Sequence, residues 1–138
     1  MAVDLERFLA AQEHVHEGVL LELRSGQKRG HWMWFVFPQI AGLGRSEVAR
    51  HYAIASLDEA RAYAAHPVLG ARLRACAAAL LAVEGRSATA ILGEIDARKL
   101  RSSMTLFHRA DPDEPVFGAV LERYFDGLAD PLTDARIG

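Results

Sequence analysis

Lys99 and Ser103 form the pair of residues whose types and spacing most directly indicate chemistry. They lie one turn apart in a predicted helix over 96–109, beside an apolar stripe, so both are expected at a half-buried boundary. A lysine placed there could bind an anion, or act in acid–base catalysis if burial lowered its pKa. The structural alternative is a lysine whose ammonium reaches the surface and pairs with a carboxylate such as Asp96 or Glu94.

The segment His31–Gln39 is the second candidate, because it contains both tryptophans and two of the six phenylalanines of the chain. So dense an aromatic cluster cannot be fully exposed on a small protein, and it must form a wall of the core or of a ligand pocket. On a helix Trp32 and Trp34 would point about 200° apart. We therefore expect at most one of the two rings to line a pocket.

Polar residues at both ends of this segment could form the rim of such a pocket. His31 could donate a hydrogen bond or transfer a proton, or it could simply bond to the backbone at a helix start. Gln39 stands at the other end. Lys28 and Arg29, in the turn before His31, add positive charge that would favour an anionic ligand.

The composition and net charge of the chain argue against several functional classes of protein. The 138 residues carry a net charge of −2, which argues against a general nucleic-acid binder. No stretch approaches the roughly 18 apolar residues of a membrane span, and no signal-peptide pattern opens the chain. Cys76 is the only cysteine, and the histidines lack metal-ligand spacing. We expect a cytoplasmic protein with no metal, no cofactor and neither a nucleic-acid nor a membrane partner.

Apolar spacing and capping residues predict the elements that position these side chains. We expect an all-α fold, a compact single-domain bundle over 1–138 of about seven helices with short connections. In the helix over 96–109, Leu100, Met104 and Phe107 are predicted to face the core. The run 31–37 could be a buried helix or a buried strand, and the tail from Gly127 looks irregular. The remaining helices are predicted over 4–23, 46–52, 56–65, 68–83, 87–92 and 116–125.

Several long strings resemble the family called domain of unknown function 1810. The resemblance covers nearly the whole chain and implies a mainly helical fold, which favours a helix for the run 31–37. It implies no activity. The strings that carry it are His31–Ile40, Gly42–Gly44, Tyr52–Ile54, Glu59–Tyr63, His66–Leu73 and Lys99–Phe107.

The resemblance also singles out polar residues that core packing explains poorly, so they should form either a site or a buried network. The first hypothesis is a small-molecule site, which could be enzymatic, for a phosphate-bearing or nucleotide-like ligand. It predicts convergence of the site residues in one cleft. His31, Glu59 and Lys99 would be catalytic, and the ligand would be held by Lys28, Arg29, Trp32, Trp34, Gln39, Tyr52, Arg101, Ser102 and Ser103.

The second hypothesis is a non-enzymatic interaction or structural module. In it the polar residues form a rigid network, an exposed apolar patch meets a partner, and Glu59 pairs with Arg61 or Arg72. A helix-turn-helix DNA-binding unit over 87–109 is a third possibility, which the acidic balance of the chain disfavours.

Overall fold

The computed structural model describes residues 4–137 and confirms the all-α class. Within that range no strand forms, and an isolated parallel bridge joins Ile40 to Ile54. None of the helices in this range is long and apolar enough to cross a membrane. Residues 4–137 form ten helices: α1 (Glu6–Gln12), α2 (His16–Ser25), α3 (Met33–Val36), α4 (Glu47–His51), α5 (Leu57–Ala65), α6 (Leu69–Ala82), α7 (Ala88–Leu92), α8 (Glu94–Ala110), α9 (Pro115–Phe125) and α10 (Pro131–Ile137).

Serine caps begin three of these helices where the sequence predicts them. Ser46, Ser56 and Ser87 stand immediately before α4, α5 and α7, and each hydroxyl accepts a hydrogen bond from the backbone N–H three residues on. The three distances are 3.1, 3.1 and 3.0 Å. Each bond satisfies one of the amide donors that a helix start leaves without a partner.

The first predicted helix, 4–23, is wrong as a single element, because the chain breaks it into α1 and α2. The break follows Gln12, which is buried although the apolar spacing lapses there. Its side-chain amide donates to the Phe35 carbonyl at 2.7 Å and to the Tyr63 hydroxyl at 3.0 Å. Turning the chain after Gln12 lets this amide face inward while α2 buries Val19 and its apolar neighbours.

The irregular tail expected from Gly127 is also wrong, because the chain forms α10 there. Asp130 begins this helix, since its carboxylate accepts from the Leu132 backbone N–H at 3.3 Å. Pro131 occupies the first helical position, where the missing N–H costs nothing. The dipeptide Asp130–Pro131 was therefore a start signal for a helix.

Helix α8 lies at the centre of the fold, where α5, α7, α9 and α10 all pack against it. Its predicted stripe, Leu100, Met104 and Phe107, is fully buried. The helix begins at Glu94, two residues before the predicted start, and Asp96 lies inside its first turn. This leaves the Asp96 carboxylate available to neighbouring side chains.

The core is one continuous hydrophobic cluster with a chain of aromatic contacts through its middle. The ring centroids of Phe8 and Tyr63 are 5.1 Å apart, those of Tyr63 and Phe107 5.2 Å, and those of Phe107 and Phe117 5.9 Å. Offset and edge contacts at these distances are favourable for aromatic pairs. These contacts fix α1, α5, α8 and α9 relative to one another. They therefore also fix the orientation of α8, the helix that carries Lys99.

Candidate functional site

Glu22 of α2 organises the turn that carries the basic residues. Its Oε1 accepts hydrogen bonds from the backbone N–H groups of Arg29 and Gly30, at 2.5 and 2.8 Å, and from Trp32 Nε1 at 3.1 Å. Burial would raise the pKa of the Glu22 carboxyl, but these hydrogen bonds outweigh it and hold the pKa below its usual value. A Cβ at Gly30 would lie 2.9 Å from Trp32 Cδ1, so this close approach requires glycine.

Asp96 joins the two lysines of the chain. Its carboxylate lies 3.0 Å from Lys28 Nζ and 3.8 Å from Lys99 Nζ, and all three side chains are about four-fifths buried or more. Lys28 Nζ also lies 5.1 Å from the centroid of the Trp32 ring, and Lys99 Nζ lies 4.9 Å from that of Trp34. Two ammonium groups thus share the Asp96 carboxylate, and each also lies near an aromatic ring.

Two open grooves meet at Lys99. The lysine groove, of about 480 Å³, lies between the 26–32 turn and the start of α8. Its polar and aromatic lining residues are Lys28, His31, Trp34, Glu94, Asp96 and Lys99. The arginine groove, of about 420 Å³, lies between α8, α10 and the loop after α3. Its polar lining residues are Gln39, Arg98, Lys99, Arg101, Ser102 and Asp130.

A narrow space of about 10 Å³ lies beside Lys99, which also lines both grooves, and this space could hold one water molecule. Trp34, Gln39, Tyr52 and Lys99 are among the residues around it. The Gln39 amide makes no side-chain hydrogen bond with any other residue of the described range, so its donor and acceptor are available there. Trp34 is half-buried whereas Trp32 is buried, so only Trp34 presents its ring to the grooves.

Arg101 and Ser102 line the arginine groove and also hold its far wall in place. The Arg101 guanidinium donates at 2.8 Å to two backbone carbonyls of the turn before α10. Ser102 Oγ donates to Asp130 Oδ2 at 2.8 Å, and Thr133 Oγ1 donates to the same oxygen at 2.6 Å. These contacts are a rigid polar network of the kind that the interaction-module hypothesis expects.

Ser103 does not share the boundary position of Lys99, and that expectation is wrong. Ser103 is fully buried, whereas the Lys99 side chain is 21% exposed. The packing of four other helices around α8 leaves only a narrow strip of it open. Ser103 Oγ has no hydrogen-bond partner among the described residues and lines neither groove.

Glu59 lies apart from the grooves. Its Oε1 pairs with Arg7 Nη2 at 2.9 Å and accepts from the Ala55 backbone N–H at 3.1 Å. The same guanidinium donates to the carbonyls of His51 and Ala53, so this ion pair fixes the start of α5. The expected pairing of Glu59 with Arg61 or Arg72 is therefore wrong, because Glu59 pairs with Arg7 instead. Arg7 lies on α1, and no pattern in the sequence indicates a partner so far along the chain.

The predicted site residues therefore separate into two groups. Arg29, Trp32, Glu59 and Ser103 line neither groove. Sequence reasoning did not include Glu22, Arg98 or Asp130. Glu22 and Asp130 bond to residues outside their own helices, whereas Arg98 pairs with Glu94 on the same helix and lines the arginine groove. The two grooves bring together Lys28, His31, Trp34, Gln39, Lys99, Arg101 and Ser102, and Tyr52 lines the small space beside Lys99.

Residues 4–137 contain no group of three His, Cys, Asp or Glu side chains that could hold a metal ion. Cys76 is buried, and burial raises the pKa of its thiol to about 12, so the reactive thiolate is scarce.

Comparisons with known proteins identify relatives of the same fold. The crystal structure of the conserved hypothetical protein Rv1873 from Mycobacterium tuberculosis is similar to this chain, with 50% sequence identity and a TM-score of 0.96. The match covers 98% of this chain and 96% of that chain. A search of curated proteins found no match. The family model described as "protein of unknown function (DUF1810)" matches residues 2–137, so the chain belongs to the DUF1810 family that its motifs resemble.

Proposed function

We propose that this protein binds a small phosphate-bearing or nucleotide-like ligand where the lysine and arginine grooves meet. The observation that carries the proposal is the position of Lys99. Its ammonium lies over the Trp34 ring, reaches both grooves, and is only 3.8 Å from a carboxylate that Lys28 already binds at 3.0 Å. Its charge is therefore incompletely neutralised and can attract an anion.

The arginine groove strengthens this positive field. Arg101 donates only to neutral carbonyls among the described residues, so its charge is not cancelled by an ion pair. Arg98 pairs with Glu94 at 2.8 Å, but both side chains are more than two-thirds exposed, so solvent weakens the pair. An incoming phosphate could exchange for Glu94 and form charge-assisted hydrogen bonds with these cations.

The aromatic and amide groups at the junction suit the organic part of such a ligand. Trp34 is half-buried, which leaves ring surface on which a base or sugar can stack. The Gln39 amide offers one donor group and one acceptor, the pair that reads the edge of a nucleobase. Each groove has the volume of a typical small-molecule site.

Binding, rather than a particular reaction, is what the geometry supports. His31 is exposed at the lysine groove, where it could donate or accept a proton. Lys99 lines the same groove, where its ammonium could contact the phosphate of a bound ligand. Glu59, the third predicted catalytic residue, is held in its ion pair with Arg7 away from both grooves. A catalytic role would therefore rest on His31 and Lys99.

A thermal-shift and calorimetric screen tests this proposal with inorganic phosphate, pyrophosphate, nucleotides and sugar phosphates. At about 100 times its Kd, a bound ligand should stabilise the protein by about 2.7 kcal/mol. Lys99→Met should weaken binding at least about tenfold, since a charge-assisted contact is lost. The control is Arg61→Met, which removes an exposed cation of α5. A panel without binding, or equal effects of the two variants, would exclude the proposal.

A protein-interaction function is the second candidate, favoured by exposed apolar side chains beside the arginine groove. Ile95 is 71% exposed, Leu132 65% and Leu128 61%. Ile95 and Leu132 both line the groove. If a second copy of the chain docks there, sedimentation should show concentration-dependent association that Ile95→Ser with Leu132→Ser removes. A monomer at all concentrations would exclude that partner.

A further inference from the structure

A third open space, which we call the aromatic hollow, lies between α3 and α4 and has a volume of about 570 Å³. Three half-buried rings line it, those of Trp34, Phe35 and Tyr52. The Phe35 and Tyr52 centroids are 5.4 Å apart and their planes meet at 57°, so the two rings form an angled wall. Val48, which is 43% exposed, completes the apolar lining.

The charge of the hollow is the reverse of that of the arginine groove. Glu47 is the carboxylate in its lining, it is exposed, and it makes no ion pair within the described range. No lysine or arginine lines the hollow; Lys99 lies over Trp34 but borders the other spaces. The remaining titratable groups that face the hollow are His31, His51 and the Tyr52 phenol.

We propose that the aromatic hollow binds a small quaternary ammonium compound of the choline type. The face of an aromatic ring is electron-rich, so several rings with a nearby carboxylate attract a cation. A trimethylammonium group has no N–H, so it needs no hydrogen-bond acceptor and can lie directly against the three rings. A primary ammonium would lose more hydration than Glu47 alone could replace.

This proposal does not rest on the proposed anion site. Trp34 and His31 border both, but Lys99 and the arginines lie outside the hollow, and Glu47 and Val48 lie outside the grooves. The two sites can therefore be tested with separate variants. Because Lys99→Met removes a cation that lies 4.9 Å from the centroid of the Trp34 ring, it should raise affinity for choline or leave it unchanged, even where it removes affinity for phosphate.

Calorimetric and NMR titrations with choline and with its uncharged isostere, 3,3-dimethylbutan-1-ol, test the proposal. Choline should bind at least about threefold more tightly, because only the cation gains from the ring faces and Glu47. Glu47→Gln should weaken choline binding about threefold and leave binding of the isostere unchanged.

Val48 offers a matched pair of variants. Val48→Lys would place a cation at the hollow and should abolish choline binding, whereas Val48→Gln, without a charge, should retain it. Because Val48 is partly exposed, both variants should keep the wild-type melting curve. Absence of choline binding, equal affinity for choline and the isostere, or equal effects of the two Val48 variants would overturn the proposal.

Discussion

Replacing Glu22 by glutamine should loosen the turn that carries Lys28, with little change in shape. The variant keeps an acceptor oxygen for the three donors that Glu22 Oε1 holds, the backbone N–H groups of Arg29 and Gly30 and the Trp32 indole. It removes the negative charge. The change therefore isolates what the charge contributes to these three hydrogen bonds.

The expected loss of stability follows from the number of hydrogen bonds that the Glu22 charge strengthens. A hydrogen bond to a charged group contributes about 1 kcal/mol more than a neutral one. Three bonds would give about 3 kcal/mol, and the partial exposure of Glu22 reduces this to about 2 kcal/mol. We expect that loss in the free energy of unfolding at pH 7.

The pH dependence provides a second test of the same reasoning. The pKa of Glu22 is lower in the folded protein than its ordinary value of 4.5. The charge therefore stabilises the fold fully above pH 4.5, and that stability is lost as pH falls through the folded-state pKa. Because the protonated wild type then resembles the variant, the difference between the two proteins should shrink toward zero in acid.

Urea unfolding followed by tryptophan fluorescence measures both effects, with the m-value checked for constancy. Glu84→Gln is the matched control, because Glu84 is exposed and makes no side-chain hydrogen bond within residues 4–137. A difference that stays constant from pH 7 into acid would refute the reasoning. So would a Glu22→Gln effect no larger than that of the control.

Three further changes test the network around α8 and the core. Asp130→Ala should destabilise the protein by about 3 kcal/mol in urea unfolding. The variant loses a buried carboxylate that accepts hydrogen bonds from Ser102, Thr133 and the α10 backbone. A loss under about 1 kcal/mol would contradict this prediction. Ser103→Ala should leave stability unchanged or raise it by up to about 1 kcal/mol, because its buried hydroxyl has no partner in the described range; a clear drop in melting temperature would show a hidden partner. Cys76 should react with a disulfide reagent on the order of 100-fold more slowly than a free thiol at pH 8. The reason is that burial raises the pKa of its thiol to about 12. Fast labelling of the folded protein would contradict this prediction.

Local signals explain most of what the sequence predicts correctly about the fold. Ser46, Ser56 and Ser87 cap their own helices, so each start depends on residues only three positions apart. Of the two wrong elements, α10 had a local start signal in Asp130–Pro131, whereas the break between α1 and α2 depends on distant partners. The break after Gln12 is stabilised by contacts with Phe35 and Tyr63, which no local pattern shows.

The candidate site divides in the same way. Residue type identified Lys99 and Trp34 as candidates, but their contact joins positions 65 apart and only the fold shows it. Ser103 was placed by helical spacing alone, which ignores how completely α8 is surrounded. Glu59 belonged to a motif for a structural reason, its pairing with Arg7.

The bridge between Ile40 and Ile54 bears on how this site can vary among relatives. The Ala41 backbone N–H donates to the Ile54 carbonyl, and the Ile54 N–H donates to the Gln39 carbonyl, both at 2.8 Å. These bonds close the neck of a loop that contains α4, with Glu47 and Val48. Since doubling the length of a closed loop costs only about 0.6 kcal/mol, the loop can gain or lose residues while the core stays intact. The loop with Glu47 and Val48, which forms one wall of the aromatic hollow, can therefore be replaced in evolution by a loop of different sequence or length. Such a replacement would change which ligand binds while the rest of the fold stays the same.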